Sequence, residues 1–234
     1  MSEFLPGCEP SADHDRLRKF EADFTPPEVA RLCLECAFEE VWREPFFGTA
    51  RVLDLGAGAG VWSQQVRRTC PIRAKITGIE IREEERSHLE RNCDNVLIAD
   101  FLDPTFEIRP TFDLVVGNPP FSLFREFVER SLAVAAQVWL FAPYDACTRG
   151  ADAAAWLADQ SRHLEKQLII PGALKFRNGE NPKTKKPYTT DFRTYALWCF
   201  SAFKDEEGWQ CDILEMLPSQ DRKWVVRPGT EGAP

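Results

Sequence analysis

No apolar run in this 234-residue chain approaches the roughly 18 residues needed to cross a bilayer, so no membrane-spanning helix is expected. The first ten residues lack a basic segment followed by an apolar one, the pattern of a secretory signal. Histidine is scarce, and His14, His88 and His163 stand apart without clustered partners. The eight cysteines (Cys8, Cys33, Cys36, Cys70, Cys93, Cys147, Cys199, Cys211) show no paired framework and read as the reduced thiols of a cytoplasmic protein. Cys33 and Cys36 have C-x-x-C spacing, but they fall in a helical pattern with no second Cys/His pair, so no metal site is expected. A positive charge balance is also missing. At a net charge of −8 the chain has the wrong sign to hold nucleic acid by its general field.

Charge is unevenly spread. Residues 1–50 are strongly acidic, whereas 172–193 carries Lys175, Arg177, Lys183, Lys185, Lys186 and Arg193 against only Glu180 and Asp191. That basic segment is a candidate for contacting phosphates. Hydrophobic residues make up 44 % of the chain and charged ones 28 %, ordinary values that permit one well-packed domain of this length. We expect a loosely ordered arm over 1–23, a single domain over 24–217 and a tail over 218–234.

From residue 24 onward, helical and strand patterns alternate. Thr25 is placed to cap a helix over about 25–42, with Pro26 and Pro27 in its first turn and Glu28 complementing its dipole. Short apolar strands are expected near 51–55, 74–80, 95–99, 112–117, 137–142, 166–170 and 195–203. Helices are expected between several of them, at 60–68, 83–92, 122–135 and 151–164. Such alternation predicts an α/β fold with a mostly parallel seven-stranded sheet covered by helices on both faces.

Two turns stand out. After the first strand, Asp54 leads into Gly56, Gly58 and Gly60, a D-x-G-x-G-x-G run that opens a helix. Glycines there let a backbone approach a ligand closely, and the amides of a helix start favour an anionic group. Glu80, about 20 residues on, ends the second strand where an acid suits ribose hydroxyls, and Asp100-Phe101 ends the third. The fourth strand stops at Asn118-Pro119-Pro120-Phe121, because two prolines offer no amide hydrogens to a sheet. This leaves two acceptors, the Asn118 side chain and the Pro119 carbonyl, beside an aromatic ring. They suit a planar group bearing an NH2, such as adenine. Tyr144 follows the fifth strand at the same edge and is a candidate to line a substrate pocket.

Together these segments resemble the S-adenosylmethionine-dependent amino-methyltransferases, and more narrowly the N6-adenine methyltransferases of nucleic acid. The order of motifs matches their gamma-type arrangement, and the resemblance covers roughly residues 24–203. It implies a Rossmann-like class I methyltransferase fold and S-adenosyl-L-methionine as cofactor. In that family's pattern, Phe24, Thr25 and Pro26 form an upstream cofactor motif. Asp54 and the turn through Gly56, Gly58 and Gly60 hold the methionine part, Glu80 the ribose, and Asp100 with Phe101 the adenine. Asn118 and the Pro119 carbonyl accept from the substrate amine, with Pro120 completing the turn, and Phe121 stacks on the base. Phe176 or Phe192 is placed to pack its other face. The expected partner is nucleic acid, DNA rather than RNA, bound with little sequence specificity, since only 172–193 could serve for target recognition.

Other readings fit less well. Carbon-5 cytosine methylation needs a nucleophilic cysteine after a proline, and Cys70-Pro71 has the reverse order. A dinucleotide-dependent dehydrogenase shares the glycine turn but leaves residues 118–121 unexplained. Protein glutamine methyltransferases share the Asn-Pro-Pro turn, but usually with Tyr after it and with a longer amino-terminal domain. A non-catalytic partner subunit with this fold would usually have lost one of the two turns.

Overall fold

The computed structural model describes residues 25–43, 48–109, 111–148, 152–160, 163–170, 174 and 193–203, together with the strands 210–213, 217–218 and 224–225. The expected arm, most of the tail and most of the basic segment lie outside these residues.

Helix α1 (Pro27–Glu40) precedes β1 (Thr49–Leu55), α2 (Val61–Thr69), β2 (Arg73–Glu80), the short α3 (Arg86–Leu89) and β3 (Asn95–Ile98). Then come β4 (Phe112–Gly117), α4 (Phe124–Leu132), β5 (Ala135–Pro143), α5 (Ala153–Gln160), β6 (Leu164–Ile170), β7 (Tyr195–Ser201) and β8 (Gln210–Ile213). The strands form one sheet in the order β3-β2-β1-β4-β5-β7-β6-β8. Strands β1 to β5 run parallel, and β7 is antiparallel to both β5 and β6. The seven expected strands are all present, and β8 adds an eighth, parallel to β6. A separate pair, β9 (Leu217–Pro218) and β10 (Trp224–Val225), is antiparallel.

Central strands bury both faces, and successive side chains feed two different cores. On β1 and β4, Val52, Leu114 and Val116 pack with Val29, Cys33, Ala37 and Trp62 of α1 and α2. Leu53 and Val115, one step along, pack instead with Phe124, Phe127 and Val128 of α4. That alternation makes three layers.

Three local expectations are corrected. Thr25 does not cap α1: Pro26 is the N-cap residue, and no side chain closes that end. The Thr25 hydroxyl instead accepts from the Trp62 indole nitrogen at 3.2 Å, tying the start of α1 to α2. The helix expected over 83–92 is only α3, led in by a 3₁₀ turn (Glu83–Glu85), as Arg82 folds back onto Glu80 and Glu85. The helix expected over 122–135 is α4 after a 3₁₀ turn (Phe121–Leu123), and it ends early because Ala135 already pairs with Phe112 in the sheet.

The sheet's carboxyl edge gathers the features of interest. Leu55, Ile79 and Gly117 are neighbours in register at the ends of β1, β2 and β4. Pro143, Tyr195 and Ile170 are likewise neighbours across β5, β7 and β6. Because β6 and β7 are antiparallel, the chain leaves the sheet after Ile170 and returns before Tyr195 at that same edge. Among the described residues, no helix is long and apolar enough to cross a membrane.

Candidate active site

A cleft of about 750 Å3, counting its open mouth, lies at this carboxyl edge. Its walls include Thr25, Gly56, Gly58, Glu80, Asp100, Phe101, Asn118 and Pro120, eight of the residues singled out in the sequence.

The glycine turn forms one wall. Gly56, Gly58 and Gly60 all have left-handed backbones, with φ of 59°, 52° and 80°, which residues with a Cβ rarely adopt. The amide of Gly58 donates to Glu80 Oε2 at 2.8 Å, so the turn is fastened to the end of β2. Glu80 Oε1 accepts from the Arg82 amide at 3.0 Å and from Arg82 Nε at 2.9 Å. A buried carboxylate with this many donors is held in one orientation.

Asp54 is placed differently from expectation. It is fully buried and is not part of the cleft wall. Its Oδ2 accepts from the Ser63 amide at 2.8 Å and the Ser63 hydroxyl at 2.6 Å, bracing the first turn of α2 from below. Its Oδ1 has no hydrogen-bond partner among the described residues. Burial, aided by the nearby charge of Glu80, pushes its pKa up to about 7, even though the two Ser63 bonds pull it down.

At the far end, Asp100 Oδ1 accepts from the Leu102 amide at 2.9 Å, which holds Phe101 against the cleft. Phe101 is only 3 % exposed. Its ring stacks on Phe127 at 5.8 Å and lies under the Arg130 guanidinium at 5.3 Å, so a ligand meets little of it. The remaining wall comes from residues that were not singled out in the sequence: Ala57, Val61, Trp62, Ile79, Ile81, Arg82, Ala99 and Phe127. Helix α4 brings Phe127 from 47 positions beyond Glu80, and no short-range pattern marks it.

The second turn abuts the first. A Cβ on Gly56 would lie 3.7 Å from the Asn118 carbonyl oxygen and 3.8 Å from Pro119 Cα. Asn118 is half-buried in the cleft wall, Pro119 is buried, and Phe121 lies just outside the cleft, 5.9 Å from the Tyr195 ring.

The fold recurs in known structures. A Pyrococcus horikoshii protein assigned as an RNA methyltransferase superposes with a TM-score of 0.54 at 23 % identity, over 77 % of this chain and 87 % of that one. The type I restriction-modification methyltransferase subunit of Streptococcus thermophilus superposes at 0.61 with 15 % identity, over 81 % of this chain and 47 % of that one. The fold is that of the Rossmann-like methyltransferases. In sequence, 85 residues are 28 % identical to the tRNA1(Val) (adenine(37)-N6)-methyltransferase of Escherichia coli O1:K1, and likewise to that of strain S88. The match spans 33 % of this chain and 35 % of those relatives, about a third of their length. No family model matches the chain.

Of the other residues expected at a methyltransferase site, Pro26 begins α1 outside the cleft wall. Tyr144 is 45 % exposed, and its amide donates to the Thr194 carbonyl at 2.8 Å. Arg193 is half-buried, with its guanidinium over Phe121. Phe24, Lys175, Phe176, Arg177, Lys183, Lys185, Lys186 and Phe192 lie outside the described residues.

Proposed function

We propose that this chain transfers the methyl group of S-adenosyl-L-methionine to the N6 amine of adenine in nucleic acid, with RNA favoured over DNA. The observation that carries the reading is the contact between the two turns. The Asn118 wall and the glycine turn line one cleft, so a ligand on the glycines sits beside acceptors suited to an amine. The sequence pattern alone favoured DNA. The choice of RNA rests on the 85-residue similarity to enzymes named for tRNA.

The cleft fits the cofactor by the chemistry of its donors and acceptors. Glu80 offers an oriented carboxylate where ribose hydroxyls would sit, and the glycine turn allows close backbone approach. When bound, the cofactor supplies a sulfonium-activated methyl group. Asn118 Oδ1 and the Pro119 carbonyl accept from the substrate NH2, orient its nitrogen and offset the positive charge that builds there in the transition state. Phe121 supplies a ring against which the base stacks. Asp54 acts one layer below, holding α2 and hence the glycine turn in place. The basic segment leaves and rejoins the sheet at the edge where Asn118 lies, which suits it to a sugar–phosphate chain near the site.

The test is transfer of labelled methyl to total RNA, single-stranded DNA, duplex DNA and a protein extract in parallel, followed by digestion to nucleosides or amino acids. Label in N6-methyladenosine supports the reading. Label in the deoxynucleoside moves the substrate to DNA. Label in glutamine replaces nucleic acid by protein.

A further inference from the structure

Arg193 is the residue of the basic segment that the sheet holds most directly, two positions before Tyr195 begins β7. Its guanidinium carbon lies 5.5 Å from the centroid of Phe121 and 5.5 Å from that of Tyr195. Tyr195 is fully buried and stacked flat on Phe141, at 5.3 Å and 2°, so it is a fixed wall. Phe121 stands beside it at 54° and packs against the cores of both sheet faces. The two rings thus make a notch at the carboxyl edge, and a cation is seated in it. A guanidinium over a ring face is a stable arrangement, but it uses the same surface that a stacked base needs.

We propose that Arg193 is a placeholder on the base platform. It covers Phe121 in the free protein, and a docking base displaces it outward, toward the sugar–phosphate chain of the substrate. This inference rests on the reading of Phe121 as the surface that receives the target base. Arg193 is then a positioning residue rather than a catalytic one. It keeps the open side of that half-buried ring covered between turnovers, and its charge remains next to the phosphates once the base is in place. A consequence is that Arg193 opposes binding of a bare base.

Free adenosine is the probe, because it has no phosphate and reads only the competition for the ring. Its affinity is measured by NMR titration with the cofactor cleft saturated by S-adenosylhomocysteine, for the wild type, Arg193→Ala, Arg193→Lys and Phe121→Leu. The affinity of each variant for S-adenosylhomocysteine serves as the check that it is folded. The expected result is that Arg193→Ala binds adenosine about two- to fivefold more tightly, with Arg193→Lys between it and the wild type. Phe121→Leu is expected to bind it at least about fivefold more weakly. Unchanged or weaker adenosine binding by Arg193→Ala, with Phe121→Leu still impaired, overturns the placeholder and leaves the base platform standing. Adenosine binding indifferent to Phe121→Leu, or absent from all four proteins, overturns the platform and the placeholder with it.

Discussion

A Cβ placed on Gly117 would lie 2.2 Å from the carbonyl oxygen of Leu55. These two residues end neighbouring strands, β4 and β1, and each immediately precedes one of the two turns that line the cleft. Gly117 therefore sets how closely the Asn-Pro-Pro turn can approach the glycine turn. Its φ of 157° adds a backbone that other residues seldom adopt. Because the obstructing atom is backbone, no side-chain rotation can relieve the clash. Gly117→Ala is expected to destabilise the protein by about 2 kcal/mol or more, within the range of overpacked cores. Thermal unfolding measures this; a melting temperature within about a degree of the wild type would mean that the strands part without strain.

Asn118→Ala tests the chemistry separately from the fold. The side chain is half-buried in the cleft wall, and its removal leaves β4 and the two prolines in place. Methyl transfer should fall about 10²- to 10³-fold, the usual effect of losing one preorganised polar group. Cofactor affinity, measured by calorimetry, should change less than about threefold. Equal loss of both would reassign Asn118 to holding the cleft together.

Glu80→Gln exchanges an acceptor for a mixed amide of equal size. Glu80 now takes hydrogen bonds from Gly58 and from three nitrogens of Arg82, and an amide NH2 would face a donor on one side. The expected loss of cofactor affinity is about 10- to 100-fold, equivalent to one or two unsatisfied hydrogen bonds. Unaltered affinity would place the ribose elsewhere.

Asp54 gives a pH dependence of definite sign. An unfolded aspartate titrates near its ordinary value of 3.8, whereas in the folded protein its pKa is pushed up to about 7. Between these values the folded state binds a proton that the unfolded state has released. This group's contribution to stability is therefore fully present below about pH 4 and is lost as pH rises toward 7. Asp54→Asn should remove that component, so that the variant's stability gains relative to the wild type between pH 5 and pH 8 in urea titrations. A constant difference between the two proteins across that range would mean that Asp54 is ionised throughout.

Neutralising Lys183, Lys185 and Lys186 together should weaken nucleic-acid binding and flatten its salt dependence, by a log–log slope of up to about 2 on a single strand. A slope identical to the wild type would move the phosphate contacts to another surface.

The apolar runs and the punctuation by Gly and Pro determined the strands, their order along the chain and the abrupt end of β4 at Asn118, because these are local consequences of side-chain shape and missing amide hydrogens. Glu80, Asp100 and the glycine turn were legible for the same reason: each stands at a strand's end within a recognisable spacing. The tertiary structure decided what depends on distant packing. It moved Asp54 beneath the turn, since Ser63 on α2 captures its carboxylate. It turned Thr25 from a cap into the acceptor of Trp62. It brought Phe127 into the cleft and Arg193 over Phe121, contacts created only when the sheet aligns the ends of strands far apart in sequence. The β8 edge and the reversal of β7 belong to the same class. A pattern of alternating residues states which side chains are buried, but strand direction and neighbours follow from how the whole chain closes its core.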